Sequence, residues 1–440
     1  MSSKTNTTAT RDEATPALVP KLRFPEFRGS DMWERLTLKQ VTTALLDGDW
    51  IESKDQSDSG YRLIQTGNVG VGEFIAKSGK ARYVSEDTFA RLRCTEIFPG
   101  DCLVSRLPDP AGRSCFIPDI GEKMITAVDC TIVRFDQTKI VPYLFIAHSQ
   151  TDGYFREVAA LSSGSTRQRI SRENLSGLLL PLSPTPAEQQ KIAECLSSVD
   201  ELMAAQARKV DALKTHKKGL MQQLFPREGE TAPRLRFPEF RDAGNWNVMK
   251  LGNVGRVIRG ASPRPKGDPR YYGGPVPRLM VQDVTRDGKW VTPRIDSLTN
   301  EGAKLSRPCT AGTLTIVCSG TVGVVSFLAV DACIHDGFLA LIDIDESIAT
   351  KDFLYHSLGG LRLQFEEGAT HGGVFTNLTT STIDQFEIKC PKPTEQQRIA
   401  ACLSSLDALI AAETRKLEAL KTHKKGLMQQ LFPSLEEGTA

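Results

Sequence analysis

Lys214-Thr215-His216-Lys217-Lys218-Gly219-Leu220-Met221-Gln222-Gln223-Leu224-Phe225-Pro226 returns residue for residue as Lys421 to Pro433. A second segment, Leu22-Arg23-Phe24-Pro25-Glu26-Phe27-Arg28, returns as Leu235 to Arg241. Phe24 and Trp33 recur 213 residues on, as Phe237 and Trp246; Cys195 and His216 recur 207 residues on, as Cys402 and His423. The chain is therefore two units, each a short leading segment, a variable body and a long helix ending in Leu-Phe-Pro. A frame that is copied while its contents vary suits a reader with two specificities on one scaffold.

Upstream of the repeated block, Ile192, Leu196, Val199, Met203, Val210, Leu213, Leu220 and Leu224 follow spacings of 4 and 3, interrupted by Gln206 and Lys217. Ile399, Leu403, Leu406, Ile410, Leu417, Leu420, Leu427 and Leu431 do the same, interrupted by Glu413 and Lys424. Such a seam predicts coiled-coil packing of the two helices on each other. From Glu188 to Phe225 the helix spans about 57 Å. Thr185-Pro186-Ala187-Glu188 predicts a capping box with Pro at the first helical position, whereas Lys392-Pro393-Thr394-Glu395 keeps Pro and Glu without the capping hydroxyl. Gly219 and Gly426 predict a kink or fraying in the last turns. Matching the polar interruptions in an antiparallel pair sets Gln206 against Lys424 and Glu413 against Lys217.

The boundaries read as a disordered leader over 1–20, a first body over 21–184, a helix over 185–226 and a linker over 227–234. A second body over 235–391, a helix over 392–433 and a tail over 434–440 follow. The tail echoes the linker, so the chain ends are expected to lie close together. Within the bodies, β-branched runs such as Cys102-Leu103-Val104-Ser105, Cys130-Thr131-Ile132-Val133 and Leu314-Thr315-Ile316-Val317 are bounded by turn signals and read as strands. Gly100 and Gly312 hold equivalent turn positions, so the bodies should share a mixed α/β fold. Val141 to His148 and Lys351 to Gly359 read as short helices in matching places.

With 440 residues, 40% apolar and 25% charged, the chain has the composition of a soluble globular protein of two or more domains. No apolar run approaches the ~20 residues of a membrane span. Ten cysteines with no Cys-x-x-Cys pair point away from a zinc site or a redox dithiol and toward a reducing, cytoplasmic setting. A net charge of +2 neither requires nor excludes nucleic acid. Catalytic signatures are missing. There is no phosphate-binding Gly-x-x-x-x-Gly-Lys loop. Asp268-Pro269-Arg270-Tyr271 departs from an amino-methyltransferase motif by its arginine, and Gly67 to Gly72 reads as a hairpin turn. Glu52-Ser53-Lys54 and Glu387-Ile388-Lys389 lack the upstream Pro-Asp of a nuclease, and the six histidines show no metal-ligand spacing.

Thr185-Pro186-Ala187-Glu188-Gln189-Gln190-Lys191-Ile192-Ala193 and Pro393-Thr394-Glu395-Gln396-Gln397-Arg398-Ile399-Ala400, with the leading segments and Tyr271-Tyr272-Gly273-Gly274, resemble the specificity subunit of type I restriction–modification systems. The resemblance covers about residues 22–433. It implies an α+β architecture of two similar mixed α/β target recognition domains separated by two long antiparallel coiled-coil helices with pseudo-twofold symmetry. It also implies a non-catalytic subunit that reads a bipartite site in double-stranded DNA and docks two methyltransferase subunits and two restriction motor-nuclease subunits. S-adenosylmethionine, ATP and Mg would then sit on those partners.

DNA-reading candidates follow from where the copies differ. The loop Gly164-Ser165-Thr166-Arg167-Gln168-Arg169 corresponds to Gly372-Gly373-Val374-Phe375-Thr376-Asn377. Arg167 and Arg169 suit guanine, Asn377 suits adenine, and Phe375 suits a thymine methyl. The same arginines could equally serve phosphates or salt bridges. Arg259, Arg264, Lys266, Arg270, Tyr271 and Tyr272 form a basic, aromatic stretch fitting a phosphate grip, with Arg106 and Arg113 as a weaker counterpart in the first body. The repeated Lys-Thr-His-Lys-Lys block leaves three uses open: a solvated face, a phosphate contact or a partner dock. A protein-interaction scaffold that never reads DNA is the alternative function of another class.

Overall fold

The computed structural model describes residues 18–433 apart from 78, 80, 109, 165–167, 369, 373 and 374, and leaves the side chains of 368–377 undescribed. The expected tail, and all but the last residues of the expected leader, lie outside the described residues. Two compact units emerge. One comprises Met1–Ala207 with Arg415–Ala440, the other Arg208–Thr414. Each long helix, Pro186–Leu224 and Pro393–Leu431, is therefore divided between them near its middle.

The first unit holds an antiparallel sheet in the order Thr42–Asp47, Cys130–Phe135, Cys102–Ser105, Ser114–Phe116. A second sheet runs Tyr83–Val84, Tyr61–Ile64, Met124–Thr126, Glu96–Ile97, with its central pair parallel. A strand pair, Glu34–Thr37 with Leu179–Leu182, closes the body. The second unit repeats this: Arg256–Arg259, Phe338–Ile342, Leu314–Val317, Val325–Leu328; then Asp296–Leu298, Tyr272–Leu279, Ala332–Ile334, Arg307–Cys309; then Asn247–Lys250 with Glu387–Cys390. The registers agree as well, Leu103 facing Ile132 as Thr315 faces Ala340. The second unit adds a fifth strand, Trp290–Val291, parallel to Val325–Leu328 and led in by the helix Val281–Asp287.

Period-two alternation decides which side chains meet. Cys102, Val104 and Val133 face a core with Leu144, Phe145 and Tyr154 of the adjoining helices. Leu103, Cys115 and Ile132 face the second sheet through Ile64, Ile97 and Met124. The central sheet is thus buried on both faces, between helices and a second sheet, which is why its strands read as continuous apolar runs. Each such buried aliphatic side chain contributes about 1.5–3 kcal/mol. The short helices Pro142–His148 and Lys351–Gly360 stand where the sequence placed them.

The repeated residues meet at one junction per unit. Arg23 donates Nε to Glu188 Oε1 at 2.7 Å and Nη2 to Oε2 at 2.8 Å; Arg236 makes the same fork on Glu395 at 2.7 and 2.7 Å. Gln189 bridges Val141 N, Lys139 O and Ser183 O, as Gln396 bridges Thr350 N, Ile348 O and Pro391 O. Lys191 lies over Phe24 as Arg398 lies over Phe237. The leading segments also reach the other helix's last turn: Leu22 N donates to Gln430 O and Leu235 N to Gln223 O, both at 2.9 Å. The described ends of the chain accordingly touch within the first unit.

Three expectations are corrected here. Glu188 does not close a capping box with Thr185, because its carboxylate is taken by Arg23 and by the Ser183 hydroxyl. This explains why the second copy manages without a capping hydroxyl. Both helices continue unbroken through Gly219 and Gly426, which face open space. The seam residues are all buried or half-buried, and each unit contains an antiparallel helix pair, but the register differs from the one expected. Lys424 binds Asp200 at 2.7 Å and Gln150 at 3.0 Å; Lys217 binds Asp407 and Lys209 binds Glu413, both at 2.5 Å. The partner of Lys217 is thus Asp407 and not Glu413. The slip is about one heptad, a shift that leaves apolar matching intact because the seam repeats every seven residues.

Candidate nucleic-acid interface

In each unit four connections converge at the same end of the central sheet. In the first, Gly48 follows the strand Thr42–Asp47 and donates N–H to Cys130 O at 3.0 Å; Gly260 does the same to Phe338 O at 2.9 Å in the second. A Cβ at Gly48 would lie 2.2 Å from Ala127 O, and one at Gly260 2.0 Å from His335 O, so only glycine lets the strand cross there. The segments carrying the candidate reading loops also match. Ser163 and Arg169 exchange two backbone hydrogen bonds, and the strands Thr370–Gly372 and Phe375–Asn377 pair with Thr370 facing Asn377. Ile170 N donates to Arg106 O as Leu378 N donates to Cys318 O. Two short hairpins of different sequence are thus held on equivalent supports.

Around the first hairpin Arg169 Nη2 lies 3.1 Å from Asp129, Arg106 Nη1 3.1 Å from Asp47 Oδ1 and Arg172 Nη1 3.3 Å from Asp47 Oδ2. Arg106 is buried and also donates to Val128 O. Burial lowers its proton affinity and Asp47 opposes that, so it is an internal cation and not an outward DNA contact. Arg113 is half-buried. Its guanidinium donates to Val69 O at 2.6 Å, Thr66 O at 3.0 Å, Pro108 O at 3.0 Å and Pro110 O at 2.9 Å, tying two loops together. Both were expected at DNA; both hold the rim in shape. Gln168 is exposed, while Arg167 lies outside the described residues.

The second rim is built differently. Arg259 donates Nε to Asp336 O at 3.1 Å and Nη1 to Leu378 O at 3.4 Å, fastening the strand end beneath the hairpin. Arg264 is exposed, 3.7 Å from Asp336, and Lys266 is exposed. Arg270 pairs with Asp268 at 2.7 Å and lies over Tyr271; Tyr272 donates its hydroxyl to Pro263 O at 2.8 Å. Burial tends to raise the Asp336 carboxyl, but the Ser262 hydroxyl and His335 outweigh it and hold it below the usual range. For Phe375, Thr376 and Asn377 the backbone lies in the hairpin, and their side chains are outside the described residues.

Sequence reasoning missed several residues here. Asp47, Asp129 and Arg172 complete the first cluster, and buried Arg278, bound to Asp296 and Ser262, anchors the second. Trp50 stands exposed just beyond Gly48, its indole N–H donating to Glu52 at 3.3 Å. An aromatic beside a glycine crossing was the one available sequence signal. The carboxylates gave none, because their partners lie far away in sequence. One lysine in each copy of the repeated basic block is also internal, since Lys217 and Lys424 are the seam cations, while Lys214, Lys218, Lys421 and Lys425 are exposed. Among the described residues no group of His, Cys, Asp or Glu could hold a metal ion, and no helix is long and apolar enough to cross a membrane.

A family profile described as the type I restriction modification DNA specificity domain matches residues 30–215 and again 243–422. The putative type I restriction enzyme MjaX specificity subunit of Methanocaldococcus jannaschii is 25% identical over 412 residues, covering 91% of this chain and 92% of its own. The HindI specificity subunit of Haemophilus influenzae is 21% identical over 358 residues, 66% of this chain and 77% of its own. The crystal structure of a type I system S subunit from M. genitalium aligns over 94% of this chain and 99% of that one, with TM-score 0.57 and 16% identity. A chain from a structure of type I system complex assembly aligns over 91% and 97%, with TM-score 0.54 and 18% identity.

Proposed function

The chain belongs to the type I restriction–modification DNA specificity family, and from that premise we propose that it reads an asymmetric, two-part site in double-stranded DNA. The observation that carries this reading is the pair of equivalent rims. One scaffold, used twice, presents two hairpins of different sequence, each flanked by arginines, at the same end of the equivalent sheet in each unit. Each unit would read one half-site, and unlike rims require unlike half-sites. Both long helices pass from one unit into the other, so their length is available to set the number of unread base pairs.

Chemistry would be supplied by partners: two methyltransferase subunits bringing S-adenosylmethionine, and two motor-nuclease subunits bringing ATP and Mg. The exposed lysines of the repeated block, identical in the two copies, suit two equivalent docking positions. The test is co-expression with the cognate methyltransferase subunit, followed by mapping of methylated adenines. A gapped, two-part motif is expected, and removing one heptad from both helices should change the gap. Methylation without a two-part motif, or assembly of partners without sequence preference, would instead support the scaffold role.

A further inference from the structure

The two rims hold their arginines in different ways. Arg169 and Arg172 are each about half exposed, yet each rests one edge on a carboxylate, Asp129 and Asp47 respectively. The Asp129 backbone and the Asp47 carboxylate are themselves held in place. Asp129 accepts Arg106 N–H at its backbone carbonyl at 2.8 Å, and Asp47 is held by the buried Arg106 guanidinium at 3.1 Å. Arg169 is further clamped by its ladder with Ser163. In the second unit Arg264 is about three-quarters exposed and 3.7 Å from Asp336, and Arg270 leans on Asp268 in its own exposed turn.

A guanidinium carries five N–H donors in a rigid fork, so one edge can sit on a carboxylate while another faces outward. Fixing that plane matters for reading guanine O6 and N7, where two bonds must form together, and matters little for a phosphate. We infer that Asp129 and Asp47 are positioning residues that aim Arg169 and Arg172 at base edges, so that the half-site read by the first unit contains guanine where these arginines reach. This deepens the proposed function and rests on it. Three arginines share two aspartates, leaving the cluster a net positive charge for the approaching duplex.

The experiment maps methylated adenines in cells carrying the methyltransferase subunit with wild-type protein, Arg169→Lys, Asp129→Asn, Arg172→Lys or Asp47→Asn. Arg169→Lys and Asp129→Asn should relax the same guanine position of one half-site by roughly tenfold or more. The other half-site and the gap should stay as in wild type, and thermal melting should be unchanged for these two variants. Arg172→Lys and Asp47→Asn should act alike on a second position; if Asp47→Asn fails to fold because Arg106 loses its partner, the Asp129–Arg169 pair decides. Fewer methylated sites with an unchanged motif would overturn the inference, as would Asp129→Asn leaving base preference intact while Arg169→Lys changes it. A wild-type protein that yields no two-part motif would overturn the functional reading itself, and with it the inference.

Discussion

The first and second units share their junctions almost atom for atom, whereas at their rims they share a backbone course but differ in the side chains it carries. Arg23–Glu188 and Arg236–Glu395 are the same fork, and Gln189 and Gln396 span the same backbone groups. At the rims, the last residue of the first sheet strand is Asp47 in one unit and Arg259 in the other, and the hairpin support is Arg106 in one and Cys318 in the other. Buried ion pairs tolerate little change, because losing one partner strands a charge without water. Exposed rim side chains answer mainly to solvent and ligand, so the two rims can differ there.

The largest effect should come from breaking the shared junction. Glu188→Ala and Glu395→Ala each take the carboxylate from a largely buried guanidinium, leaving it backbone carbonyls alone, and should each cost about 3–5 kcal/mol in urea denaturation. Equal losses would confirm the equivalence of the units, and a large loss in one alone would break it. Glu188 adds a pH signature. Burial raises its carboxyl, but Arg23 and Ser183 outweigh this and hold it below the usual 4.5. Its contribution is present above that value and disappears as pH falls through the lower folded one.

Two buried histidines, one in the short helix of each unit, sharpen the comparison further. Burial brings His148 down to about 4 and His356 to about 3, from the usual 6.5. The unfolded chain therefore takes up these protons first, and stability that is complete above pH 6.5 should fall toward pH 4 and 3. The slope should approach about 1.4 kcal/mol per pH unit for each histidine. Denaturation midpoints of His148→Phe across this window should show a flatter acid limb; an unchanged limb would reject the assignment.

At the seam, Asp200→Ala should cost about 1–3 kcal/mol, since it deprives the buried Lys424 and the Tyr143 hydroxyl of a partner. Asp407→Ala should cost less, because Lys217 is more accessible to water. The smallest effect on stability belongs to the second rim. Arg264→Ala should leave the melting temperature unchanged, weaken DNA binding at all sequences alike, and lower the salt dependence by about one phosphate contact. A change of methylation motif would show instead that Arg264 reads bases.

Much of this arrangement was legible beforehand. The duplication, the two helices, the apolar seam and the paired short helices all leave periodic or repeated marks. The register was misread because a heptad pattern looks the same after a slip of seven residues, and only charges at distant positions settle it. The capping box was misread because Glu188 is claimed by an arginine 165 residues away. Arg106 and Arg113 were placed at DNA because a cation in a loop looks alike whether it faces water or four carbonyls.

By itself, then, the sequence determined that the chain is one frame used twice with two different fillings, since local periodicity and repetition are written along the chain. Only the tertiary structure decided which carboxylate meets which cation: Asp407 with Lys217, Asp47 with Arg106 and Arg172, Asp129 with Arg169. Such pairs depend on which backbones are brought within a few ångströms, and no local pattern carries that information.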